Sequence, residues 1–110
     1  MSVVTNLLLT HRERGGDAAR APRELNAWLN ANGQHGFMDV GEGICGRKHF
    51  EATLLGTATN YLNLHAFFEA AAALPWQYPQ WVQVFFREQE AATFGVWTPK
   101  QGIVLPSQEF

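Results

Sequence analysis

The stretch GEGICGRKHFE, residues 41 to 51, brings the chain's single cysteine together with a histidine, two acids and an Arg-Lys pair. A thiolate next to a histidine is a nucleophile next to its base, and in a loop the spacing of Cys45 and His49 would let them meet. Covalent catalysis also needs a third group to orient the histidine and donors to hold an oxyanion, and the sequence displays neither. A lone cysteine in a small domain is more often an inert, half-buried apolar residue. If the protein is a small enzyme or a ligand-binding protein, His35, Asp39, Cys45, Arg47 and His49 are the polar groups that would serve it. Such an enzyme or ligand-binding protein is the alternative to a protein-binding module.

The same segment matches a dinucleotide pattern, because Gly41, Gly43 and Gly46 stand as G-x-G-x-x-G. That pattern binds pyrophosphate only between a strand and the N-terminus of a helix. The following residues HFEATLL alternate as a strand does, so no helix end is on offer. Gly46 is followed by Arg47, Lys48 and His49, not by the Lys and hydroxyl residue of a phosphate loop. A hairpin loop, with Arg47 and Lys48 as exposed adhesive cations, accounts for the segment.

Metal binding would draw on His11, His35, His49, His65, Asp39, Glu42 and Cys45. The chain contains no C-x-x-C, H-E-x-x-H or H-x-H pair, the close spacings through which zinc sites are recognised. Unrelated surface histidines explain these residues, and no cofactor is expected. Glu88 and Glu90 in REQE read as a solvated turn, and His65 with Glu69, one helical turn apart, as a surface pair.

The elements that would carry these groups follow from periodicity. SVVTNLLLTH is apolar and β-branched, the pattern of a buried first strand. RERGGDAARA is an exposed loop, and Pro22 suits the first turn of a helix. In that helix Leu25, Trp28 and Leu29 recur on one face, and Gly33 stands where a left-handed C-terminal cap belongs. QHGFMDV suits a second strand and HFEATLLGTATNYL a third, with Phe50, Ala52 and Leu54 opposite Glu51, Thr53 and Leu55. Asn60 or Asn63 caps a second helix, whose buried stripe is Leu64, Phe67, Phe68, Ala71 and Leu74 and which Pro75 stops.

WVQVFFRE is a further strand, with Val82, Val84 and Phe86 on one face and Trp81, Gln83, Phe85 and Arg87 on the other. EQEAA turns the chain into TFGVWTP, a hairpin strand. The order predicts an α+β fold of ferredoxin-like, split βαβ type: βαββαβ plus a C-terminal hairpin strand, an antiparallel sheet with two helices on one face. Residues 1 to 99 form one domain, and 100 to 110 are a tail.

Bulk properties fit one such domain. The chain has 110 residues with 46% hydrophobic and 16% charged, which is outside the disordered class. A net charge of −2 argues against a broad basic face for nucleic acid. The aromatic and basic run by which RNA-binding sheets of this architecture are known is also missing. The lone cysteine fits a reducing compartment, and MSVVTNLLLTHRER places its apolar residues before its charges, the reverse of a signal peptide. A cytoplasmic protein without membrane contact is expected.

The strongest functional signal is LPWQYPQWVQVFF, with Trp76, Tyr78, Trp81, Phe85 and Phe86 within a short span. Trp and Tyr anchor protein interfaces, and an exposed apolar patch calls for a partner. The reading is therefore a non-enzymatic module that binds another protein, a second copy of itself, or both, as an inhibitor, antitoxin or immunity-type protein does. Its binding residues would be Trp76, Tyr78, Trp81 and Phe85, with Arg47 and Lys48.

SVVTN at the start, LPW, the VQ strand and the REQE turn together resemble a loose set of small uncharacterised bacterial proteins. The resemblance spans most of the chain and implies one complete bacterial or phage domain. It carries no activity and no functional residue.

Overall fold

The computed structural model describes residues 4–15, 19–40 and 53–104. They form β1 (Val4–His11), α1 (Arg20–Ala31), β2 (Met38–Asp39), β3 (Thr53–Asn60), α2 (Leu64–Ala72), a 3-10 turn (Pro79–Trp81), β4 (Gln83–Glu88), β5 (Gly95–Thr98) and β6 (Gly102–Val104). One six-stranded sheet runs β2-β3-β1-β4-β5-β6, and every neighbouring pair is antiparallel. The fold is the expected ferredoxin-like α+β arrangement, with both helices on one face of the sheet. Gly102–Val104, expected to lie in a tail from residue 100 onward, pair with β5 as a sixth strand.

Each helix is bounded by the residues that the sequence singles out. α1 ends in a Schellman motif: Gln34 N–H bonds to Leu29 O, Gly33 N–H bonds to Asn30 O, and Gly33 takes φ +75°. Only glycine adopts that left-handed conformation without steric cost. Of the two candidate caps for α2, Asn63 is the one used, its side-chain oxygen accepting from Ala66 N–H at 3.1 Å.

The core lies between helices and sheet. Leu7 and Leu9 of β1, Val84 of β4, Leu25 and Leu29 of α1 and Phe67 of α2 are fully buried. Phe68 stacks on Trp97 at 5.2 Å and meets Phe86 edge-on at the same distance, arrangements favoured by the ring quadrupoles. β2 has two residues where a longer strand was expected. It is held by Phe37 N–H bonding to Asn26 Oδ1 at 2.7 Å, while Gln34 exchanges two hydrogen bonds with the main chain of Asn60. No helix among the described residues is long and apolar enough to cross a membrane.

Candidate binding face

Strand alternation sends Thr5, Leu7, Leu9 and His11 of β1 into the core, so Val4, Asn6, Leu8 and Thr10 stand on the face opposite α1 and α2. Register then assigns one residue of each strand to a single row. Leu8 lies opposite Gly56 on one side and Phe85 on the other; Met38 pairs with Gly56, Phe85 with Val96, and Val96 with Val104. Met38, Gly56, Leu8, Phe85, Val96 and Val104 thus cross the whole sheet without a polar side chain. Leu54 and Val40 flank the row. A Cβ at Gly56 would come within 3.2 Å of Leu8 Cδ2 and 3.4 Å of Val40 Cγ1, so these two side chains close over the glycine.

Among the described strand residues on this face, Arg87 is the only charged one, and its guanidinium lies 5.6 Å from the Phe94 ring centroid. An antiparallel sheet that faces water usually alternates apolar-in with polar-out. Here both faces are apolar at the centre. Met38 is 61% exposed and Val104 45%, so the ends of the row present real contact area.

Phe85 sits at the middle of this face, as its strand position implied. Trp81 is half-exposed and falls on the same side, because β1–β4 register extended by two residues from the Thr10–Gln83 pair sets it opposite Arg12. The Arg12 guanidinium lies 4.8 Å from the Trp81 ring centroid. Tyr78 is partly buried nearby. Trp76 belongs elsewhere: it packs in the core and its indole N–H donates to Ala71 O at 2.8 Å, so it adds nothing to an interface. Arg47 and Lys48 lie outside the described residues.

The alternative polar set is only partly described. His35 is exposed, its Nδ1 3.0 Å from Gly36 O, and Asp39 is exposed on β2. Cys45 and His49 lie outside the described residues. No three His, Cys, Asp or Glu side chains among the described residues gather as metal ligands. His65 and Glu69 pair on the outer surface of α2 at 2.7 Å.

A buried carboxylate fixes the segment that carries Tyr78 and Trp81. Glu13, only 7% exposed, accepts Gln77 N–H at 2.7 Å on Oε1 and Tyr78 N–H at 3.0 Å on Oε2. Gln77 answers across the same gap, its Nε2 donating to Arg14 O at 3.2 Å. Glu13 N–H in turn donates to His11 Nδ1 at 3.0 Å. This bond requires an unprotonated Nδ1, and burial lowers the His11 pKa, outweighing the opposite pull of Glu13 and Asp39.

The sign of the pH effect follows. Unfolded chains take up the histidine proton near ~6.5, while the folded state takes it up only at lower pH. Stability is therefore full above that value and falls as the solution is acidified through it. His11→Asn keeps an acceptor for Glu13 N–H without a titrating ring. Between about pH 7.5 and about pH 5.5 the wild type should lose more of its urea midpoint than His11→Asn does; parallel losses would contradict the assignment.

Comparison with family models, with curated proteins and with solved structures found no match. The functional reading therefore rests on the geometry of the face itself.

Proposed function

We propose that the protein is a binding module whose docking surface is the face of its sheet opposite α1 and α2, and that a second copy of the chain occupies it. The observation that carries this reading is the apolar row across all six strands, on a face whose described strand residues include a single charge. Charge depletion marks the centres of interfaces, above all those of homodimers. A face so nearly neutral offers little for a charged partner to read, whereas two identical apolar rows are self-complementary about a two-fold axis.

Size agrees with this. With strands ~4.8 Å apart and ~3.3 Å per residue, the six strands project about 500 Å². Side chains standing on the sheet enlarge that area toward the ~800 Å² per partner of a stable interface. The apolar row is what favours the protein-binding reading over an enzyme; of the polar set, His35 and Asp39 stand exposed, and Cys45, Arg47 and His49 lie outside the described residues.

Light scattering of the full chain at submillimolar concentration should show a dimer. Phe85→Glu should raise its dissociation constant about tenfold or more, with helix content retained and a thermal midpoint that depends less on protein concentration than that of the wild type. His65→Ala, on the outer surface of α2, should leave the dimer intact. A monomeric wild type, or a Phe85→Glu variant as dimeric as the wild type, overturns the proposal.

A further inference from the structure

At the rim of the open face, where β1 ends and the chain enters β4, Arg12, Arg14, Tyr78 and Trp81 line a cleft of about 190 Å³. We infer that this cleft binds a phosphate monoester, held by the two guanidinium groups.

Three features converge on that ligand. First, Arg12 is already oriented. Its guanidinium lies over the Trp81 ring, and a stacked guanidinium keeps its N–H donors at its edge, where an oxyanion can accept from them.

Second, neither arginine has an ion-pair partner among the described residues. The side-chain ion pairs among the described residues are Arg20 with Glu24 and His65 with Glu69. Glu13, which separates the two arginines in sequence, is buried and spends both carboxylate oxygens on the main-chain N–H groups of Gln77 and Tyr78. Hydrogen bonds to main-chain amides leave the carboxylate's charge in place but take up its oxygens, so the guanidinium donors of Arg12 and Arg14 remain open to a ligand.

Third, the walls are aromatic. Tyr78 and Trp81 offer ring surface to a small organic body beside the charged head. A phosphate monoester presents three acceptor oxygens to the two guanidinium groups, where a carboxylate presents two. Arg-phosphate contacts also have the fork geometry that gives bidentate bonds.

Phenyl phosphate, inorganic phosphate and acetate are the probes, titrated into the isotopically labelled full chain and followed by amide and indole shifts. Phenyl phosphate and inorganic phosphate should both bind at the cleft, moving the signals of Arg12, Arg14, Tyr78 and Trp81, phenyl phosphate more tightly because its ring meets Tyr78 and Trp81. Arg12→Gln with Arg14→Gln should weaken phenyl phosphate about tenfold or more. Both side chains are exposed, so the urea midpoint should hold, and Trp81→Leu should reduce the preference for the aryl ester. Equal binding by the doubly substituted variant, shifts spread over Arg20, Arg23 and Arg87, or acetate binding as tightly as phosphate would overturn the inference. Light scattering of the same double variant separates this result from association, since Phe85 and the apolar row are left in place.

Discussion

Glu13→Ala should lower unfolding stability by about 3 kcal/mol, because two main-chain N–H groups lose a charged acceptor and such bonds contribute ~1.5–3 kcal/mol each. The donors, Gln77 N–H and Tyr78 N–H, are partly buried, so water replaces the carboxylate only in part. Glu13→Gln should fall between, since its amide keeps one acceptor oxygen and turns a donor toward the second N–H. Urea unfolding checks this: a shifted midpoint with an unchanged slope reports lost stability and not a changed unfolded state. A Glu13→Ala variant within about 0.5 kcal/mol of wild type, as for an ordinary surface substitution, would show that the clamp contributes nothing.

Gly95→Val should cost about 3 kcal/mol or more, at the upper end of what overfilling a packed core brings. Gly95 pairs with Phe86 across β4 and β5, and a Cβ there would stand 2.4 Å from Phe86 Cζ. The ring cannot swing away freely, because Phe68 is against it and Trp97 stacks on Phe68. The missing side chain is the space that Phe86 fills. A cycle with Phe86→Leu tests this account: the shorter side chain should absorb at least half of the Gly95→Val penalty. Two penalties that simply add would place the strain elsewhere, since contacting residues couple and independent ones do not.

Legibility followed the range over which each cause acts. The α2 stripe, its Asn63 cap, the Gly33 terminus of α1 and the two faces of β4 depend on residues within a few positions of one another, and all are visible in the string. From those elements the split βαβ order follows. The pairing of β5 with β6 is not visible, because Gly102–Val104 is too short to show alternation. The aromatic stretch shows how composition misleads: Trp76 and Trp81 sit in the same run, yet one donates to Ala71 O inside the core and the other stands half in solvent. A dense run of rings looks the same whichever way they turn.

The candidate site was legible only in part for a related reason. Phe85 was placed on the open face by alternation, but the row that makes it significant exists only once six strands are in register. Arg12 meets Trp81 through β1–β4 pairing, a contact between distant parts of the chain. Arg12 and Arg14 belong to the stretch expected as an exposed loop, and both are exposed, but Glu13 between them is buried. The folded chain uses that acid for its own main chain, which local charge patterning does not anticipate.

The central place of β1 also sets an order of events during synthesis. Leu8 leaves the ribosome well before its partners Gly56 and Phe85, so the strand at the middle of the sheet waits for both neighbours. Contacts so distant in sequence close slowly. Until they do, an apolar strand with two unpaired edges is open to the equivalent strand of another nascent chain. The charged RER segment directly behind it is of the kind that flanks strands prone to such pairing and disfavours it.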